Sequence, residues 1–542
     1  MKKLLFLFVT TILFGCNENL LVDTIVHNAN IYTVDDAFSK QQAFAIKDGK
    51  IVEVGAENQI LNKYTASEVI DAKQGYLFPG LIDAHCHFLG YGVEKNRINL
   101  VGTESFEDVI NKIEEYIARI DSKWVLGRGW DQNDWSDKSF PTNDTLSKLF
   151  PDHFIAIKRI DGHAFLASKN VLELAEVTSE TKVEGGEIIL SNSLPTGILV
   201  DNAMGLITKV LPENDRSFMI NALLTAQTDC AKVGLTTVSD AGLSPENIRL
   251  IDSLQESNSL KMRVYAMISA SNSVLTDLEK HRLDKPRLNV NSIKIYADGA
   301  LGSRGAYLLE PYSDHDHHQG FLITDKDSLR KWAKACYNAN FQMNVHSIGD
   351  GANNVVLQVM GDQLKQTNDR RWRIEHAQVV SDTDIDKFSQ FTILPSVQPT
   401  HATSDMPWAE DRLGKERIKN AYSYQRLLQQ NGLIALGTDF PVESISPFKT
   451  FYAAIERKDE TGQPAEGFLA DQALSREEAL RGMTIWAAMS NFQELNRGSI
   501  EKGKYADFII LDIDLMTCKA QSILDAQVEQ TWINGELIYE KR

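Results

Sequence analysis

"LIDAHCHFLG", residues 81–90, ends an apolar run on His85 and His87, one residue apart. Side chains alternate faces along a strand, so the two imidazoles point one way while Ala84 and Cys86 point the other. Taken alone, the pair fits two readings: metal ligands facing an interior, or two histidines in a polar turn. The rest of the chain has to supply the partners that decide between them.

Downstream, short apolar segments alternate with longer helical patterns, the signature of repeated β-α units around a parallel sheet. "GLTTVSDAG" begins at 234, "MRVYAMIS" at 262, "NSIKIYADG" at 291, "FQMNVHSIGD" at 341, "RWRIEHAQ" at 371, "FTILPSVQPTH" at 391 and "LIALGTDFP" at 433. With the opening run they make eight strands. The spacing predicts an α/β fold, a TIM-like (β/α)8 barrel, whose chemistry sits at the C-terminal ends of its strands. "SREEALRGMTIWAAMSN" adds a helix opened by a capping box from Ser475 to Glu478.

Residues 92–225 break this repeat, because a β-α unit needs only ~30 residues. An inserted subdomain is expected there, with "GRGWDQNDW" and "RIDGHAF" as candidate lining for a substrate cavity. Strand-like text also occupies both ends of the chain, with hairpin signals at Asp48-Gly49 and Asn534-Gly535. The expected organisation is a small β-sandwich built jointly from residues 17–79 and 498–542, around a barrel at 80–497.

The remaining strand ends carry His346, His376 and Asp439, and "SIKIYADG" turns Lys294 away from Ile293 and Ile295. Four histidines, a lysine and an aspartate meeting at a barrel mouth suit a divalent transition metal, zinc first. Lys294 is the unusual member, since a cation repels an ammonium. Burial lowers a lysine pKa and frees the amine. A neutral amine can capture carbon dioxide as a carbamate, whose oxygens could bridge two cations. The competing reading pairs Lys294 with Asp298 or with a substrate carboxylate. "PYSDHDHHQG", with His315, His317 and His318, reads as a solvated loop, since its consecutive residues cannot all face one site. His163, Arg304 and His401 are better placed as substrate contacts.

The chain has 542 residues and a formal net charge of -18, with no lysine- or arginine-rich block, which argues against nucleic acid as a partner. Lys2, Lys3, the apolar "LLFLFVTTILF", Gly15 and Cys16 read as a targeting segment, too short for a membrane span of about 20 residues. Residues 1–16 resemble a bacterial lipoprotein signal. The expectation is an exported protein held to the cell envelope by a lipid anchor on Cys16; an ordinary signal peptide or uncleaved anchor is the alternative. Cys86, Cys230, Cys336 and Cys518 lie far apart without C-x-x-C spacing, so neither a zinc finger nor a disulfide framework is expected. An oligomer is compatible with the sequence.

His-x-His on the first strand, lysine on the fourth, histidines on the fifth and sixth and aspartate on the eighth together resemble the amidohydrolase superfamily with two metals. "FPGLIDAHCH", "IKIYADGALGSR", "VHSIGD", "IEHAQ", "SVQPTH", "GTDFPV" and "GSIEKGKYADFIILD" are similar to its YtcJ-like branch, which includes N-substituted formamide deformylases. The resemblance runs from about residue 22 to the C-terminus. It implies one zinc held by His85, His87 and Asp439, a second held by His346 and His376, and a carbamylated Lys294 bridging them.

Such a centre supports hydrolysis, because a bound metal lowers the pKa of water to about 7. Asp439 would take the proton from the attacking water and pass it to a leaving nitrogen. The expected activity is cleavage of a carbonyl-nitrogen bond in a small amide-type substrate. A deaminase or ester hydrolase on the same centre, or a ligand-binding lipoprotein without turnover, are the alternatives.

Overall fold

The computed structural model describes residues 19–120 and 122–541; the targeting segment and Cys16 lie outside the described residues. Its centre is a parallel sheet of eight strands: β1 Leu81–Cys86, β2 Leu235–Leu243, β3 Arg263–Ser269, β4 Leu288–Tyr296, β5 Gln342–Ser347, β6 Arg373–His376, β7 Leu394–Val397 and β8 Ala435–Leu436. They are hydrogen-bonded in chain order from β1 to β8. These are the eight segments expected from the sequence. Closure into a barrel falls to the residues just past the strands: Asp439 N–H donates to the His85 carbonyl and His87 N–H to that of Phe440, both at 2.8 Å. Asp83 reinforces the seam, accepting from Thr438 Oγ1 at 2.7 Å and from Thr438 N–H at 3.1 Å.

Helices cover the barrel, and their starts follow local chemistry. Asp215, Ser244 and Asp325 each cap a helix through a side-chain oxygen, and Ser475 and Glu478 form the reciprocal capping box. Cys86, Cys230 and Cys336 are buried free thiols. Among the described residues no helix is long and apolar enough to cross a membrane.

Between β1 and β2 the chain builds a separate six-stranded sheet from strands between Ile98 and Asp201. Each face carries its own apolar cluster: Val125, Trp130, Ile155 and Ile157 on one, Ala156, Phe165 and Leu199 on the other. The two tryptophans of "GRGWDQNDW", Trp130 and Trp135, are thus packing residues of this sheet rather than cavity lining.

Two further sheets bring the ends of the chain together. One joins Lys50–Gly55, Ala43–Lys47, Leu20–His27 and Tyr64–Asp71; the other combines Tyr76–Pro79 with Phe508–Leu511 and Val528–Ile533 from the far end. They share an apolar cluster, with Phe44 set edge-on against Phe508 at 5.2 Å. Asp48-Gly49 and Asn534-Gly535 all have positive φ, the conformation a two-residue hairpin turn requires. A second tie runs to the barrel: Arg263 of β3 binds Asp507 through Nε at 2.7 Å and Nη2 at 2.9 Å.

Candidate metal centre

The C-terminal ends of the strands deliver a compact group of imidazoles. Ring centroids of His85 and His376 are 4.8 Å apart, His376 and His346 4.6 Å, and His85 and His87 5.7 Å. Asp439 completes the group, with Oδ1 at 3.2 Å from His87 Nε2 and 3.6 Å from His85 Nε2. Ligand atoms of His85, His376 and Asp439 all lie within 4.8 Å of one another. His376 and Asp439 have φ of 75° and 60°, a left-handed backbone that costs of order 1–3 kcal/mol outside glycine and concentrates at functional sites.

Neighbouring groups fix how each ring is presented. His85 Nδ1 lies 2.6 Å from Glu375 Oε2, and Glu375 is itself held by Arg373 Nε at 2.7 Å. Burial alone would raise the Glu375 pKa, but the charge of Arg373 and the hydrogen bond from His85 outweigh it and hold the carboxyl far below its ordinary range. An ionised Glu375 keeps the proton on Nδ1, which leaves the Nε2 lone pair directed at the centre, the usual carboxylate-histidine-metal arrangement. His376 Nδ1 faces Gln398 Oε1 at 2.7 Å, with the same consequence. His346 turns Nε2 toward the Gly299 carbonyl at 3.4 Å. Burial lowers the pKa of His85 to about 4 and those of His346 and His376 well below the ordinary value, so all three rings are neutral, as ligation demands.

Asp439 is buried, and burial pushes its pKa up, but hydrogen-bonding contact with His87 leads the effects that hold it well below the usual carboxylate range. Its Oδ1 is sealed from solvent without an aligned hydrogen bond. An ionised carboxylate oxygen set among imidazole nitrogens is a donor set that fits a divalent cation.

Lys294 Nζ sits inside this group, 3.1 Å from His85 Nε2. Burial brings its pKa down to about 8 against the opposing pull of Glu375 and Asp439. It is not paired with Asp298, whose carboxylate accepts backbone N–H groups of Tyr307, Ile348 and Gly349 at 2.8–3.0 Å. Of the expected substrate contacts, His163 and His401 reach the group. The His163 ring is 5.1 Å from His346, and its Nδ1 is 2.6 Å from Asp201 Oδ1. His401 stacks on His376 at 5.7 Å and places Nε2 3.5 Å from Asp439 Oδ2. Arg304 is instead turned to Asp314 at 2.9 Å. His318 of the histidine-rich loop faces the Arg304 carbonyl at 2.9 Å.

Glu375, Gln398 and Asp83 do not stand out in the sequence. The one signal it carries for them is the charged pair Arg373 and Glu375 inside a fully buried strand, where charges require partners.

The amidohydrolase family model matches residues 68–539. The chain belongs to the amidohydrolase family. Its relatives include YtcJ of Bacillus subtilis, 29% identical over 527 residues, covering 95% of this chain and 99% of that protein. An N-substituted formamide deformylase of Arthrobacter pascens is 25% identical over 548 residues, covering 96% and 98%. Among solved structures, an uncharacterized metal-dependent hydrolase from Pyrococcus horikoshii superposes with a TM-score of 0.75 at 27% identity, covering 92% of this chain and 99% of that one. As a member of this amidohydrolase family the chain is a metal-dependent hydrolase, and a cluster of His85, His376 and Asp439 that could hold a metal stands at the barrel mouth.

Proposed function

We propose that this amidohydrolase cleaves the carbonyl-nitrogen bond of a small, non-peptide amide. The observation that carries the reading is the convergence of His85, His376 and Asp439, with Asp439 ionised and one of its oxygens unpartnered. The formamide deformylase among the relatives supports the choice of bond.

His85, His87 and Asp439 would hold one metal and His346 and His376 a second, with Lys294 between the two positions. Bound there, the metal supplies Lewis acidity and a water acidic enough to act near neutral pH. Asp439 Oδ2, facing His401 rather than the histidine pair, accepts the proton of the attacking water and returns it to the leaving nitrogen. Glu375 and Gln398 keep His85 and His376 in the tautomer whose Nε2 lone pair is free for the metal. With a pKa near 8, Lys294 is neutral in roughly a tenth of molecules at pH 7. Its amine can add carbon dioxide with loss of one proton, and the resulting carbamate is our reading of how this position serves two zinc ions. From the sequence we further propose export and lipid anchoring through Cys16.

A panel of small amides, esters and heterocycles on zinc-loaded protein tests the bond assignment, and Asp439→Asn should slow amide turnover by about 10²–10⁴-fold. Faster ester than amide cleavage, or full activity in Asp439→Asn, would sink it. Metal content, with intact mass before and after acid, tests the carbamate: two equivalents and an acid-labile adduct are expected, and one equivalent without adduct overturns it.

A further inference from the structure

The inserted sheet brings two cations toward the barrel mouth that the hydrolytic centre does not use. Arg128, on the strand Trp124–Trp130, lies beside Lys158, on Phe154–Arg159, as paired positions of two parallel strands. Paired positions present their side chains from the same face.

Several buried arginines are matched, Arg159 by Asp131 and Asp161, Arg263 by Asp507 and Arg373 by Glu375, while Arg457 and Arg497 are buried without an ion pair among the described residues. Among the described residues neither Arg128 nor Lys158 forms an ion pair. The one carboxylate among the described residues whose charge acts on both is Glu94, which faces Arg97 at 3.6 Å. Burial lowers the pKa of both cations, a cost that an incoming anion would offset.

Arg128 is also held in place for such a partner. Nε and Nη2 both donate to the Ile160 carbonyl, at 3.0 and 2.6 Å, while Nη1 has no hydrogen-bond partner among the described residues and is not sealed from solvent. The guanidinium lies against Gly162, where a Cβ would meet Nη2 at 3.3 Å. The next residue is His163, whose ring is 5.1 Å from His346. Asp439 and Tyr296 both lie within the field of Arg128, and the Tyr296 ring is 5.3 Å from His346.

We propose that Arg128, with Lys158 beside it, forms an anion subsite at the barrel mouth, and that the substrate is a small amide carrying a carboxylate, as an N-acyl amino acid does. The assignment rests on the hydrolytic reading of the centre. Arginine offers a fixed fork suited to carboxylate oxygens, and the ammonium adds a point charge. Glu94, Asp161 and Asp439 also act on Arg128, which reduces the local positive field.

The test uses 4-oxopentanoate, in which a methylene replaces the N–H of N-acetylglycine, and its uncharged partner 5-methylhexan-2-one, in which an isopropyl group replaces the carboxylate. Neither contains an amide or ester bond, so binding is read without turnover. Calorimetry on the metal-loaded mature chain should show the carboxylate bound about tenfold more tightly or better, and falling salt should widen the gap. Arg128→Gln should bring the ratio of the two affinities to about one, Lys158→Gln should reduce it, and Arg128→Lys should give an intermediate ratio. Circular dichroism of each variant checks folding, and Lys158→Gln, which removes no backbone contact, keeps the test informative should Arg128→Gln misfold. Equal affinities in the wild type, undetectable carboxylate binding, or a ratio unmoved in both Gln variants overturns the subsite. Failure of the hydrolytic reading looks different: the ratio then depends on Arg128 while N-acetylglycine and its amide both survive incubation.

Discussion

Replacing Glu375 by glutamine removes one charge from the most enclosed ion pair at the centre and reports on two jobs at once. Glu375 is fully buried, with Oε2 2.6 Å from His85 Nδ1 and Oε1 2.7 Å from Arg373 Nε. Removing one partner of a buried pair leaves an uncompensated charge and costs ~3–5 kcal/mol. Arg373 would retain neutral acceptors, the Ala84 carbonyl and Asn491 Oδ1, both at 2.9 Å. The loss should therefore fall at the lower end, ~3 kcal/mol. His85 would also lose the acceptor that fixes its tautomer, and such partners are worth ~10–100-fold in metal affinity. Urea denaturation of metal-free wild type, Glu375→Gln, Arg373→Met and the double variant measures the first effect. Zinc competition against a chromophoric chelator measures the second. The double variant should be less destabilised than the sum of the singles by ~0.5–3 kcal/mol. Additive singles, or wild-type zinc affinity in Glu375→Gln, would refute the reasoning that this carboxylate both neutralises Arg373 and orients His85.

Asp507→Asn should cost about 3–5 kcal/mol at neutral pH, because it strands the buried Arg263 guanidinium. Burial would raise the Asp507 pKa, but Arg263 and Arg497 outweigh it and hold it below 3.8, so its contribution is present above that pH and fades as pH falls through the folded value. Denaturation midpoints of wild type and variant should accordingly converge below about pH 4, and a constant gap down to pH 2 would contradict the sign. At Gly437 a Cβ would lie 2.5 Å from the backbone nitrogen of His85, at the seam of the barrel. Gly437→Ala should destabilise by ~1–3 kcal/mol or more and lower metal content, both measurable on purified protein. Stripping metal with a chelator should lower the thermal midpoint and abolish turnover, with zinc restoring both; at a hundredfold excess over Kd the expected stabilisation is about 2.7 kcal/mol.

The barrel is legible because each of its strands is a short apolar run bounded by turn or helix signals, and because a lone charged or imidazole residue at the end of such a run stands out. His85, His346 and His376 can be read this way, as can the hairpin turns and the Ser475 capping box. Acidic residues are harder to sort. Asp83, Asp298 and Asp439 all sit at or just beyond strand ends, and composition gives them the same appearance. Only the structure separates the two whose oxygens accept backbone N–H groups from the one whose oxygen is left bare. Glu375 is hidden for a related reason: all four residues of β6 are buried, so alternation carries no information about which face meets the centre.

The insertion shows most sharply where pattern reading fails. In "GRGWDQNDW" Arg128 and Trp130 are two residues apart, and strand alternation would place them on one face. The pairing with the neighbouring strand shifts register between them, and Gly129, at φ 117°, lies in the irregularity. A bulge inserts one unpaired residue and re-aims the side chains beyond it. Trp130 consequently packs with Val125, Ile155 and Ile157, while Arg128 stays with the face of Trp124 and Leu126. A glycine here is required by contact as well as by conformation, since a Cβ would meet the Val101 nitrogen at 2.6 Å. The same local defect that buries the tryptophan leaves the arginine on the opposite face, so substituting Gly129 should disturb carboxylate selectivity and the subdomain core together, whereas Lys158→Gln should disturb selectivity alone.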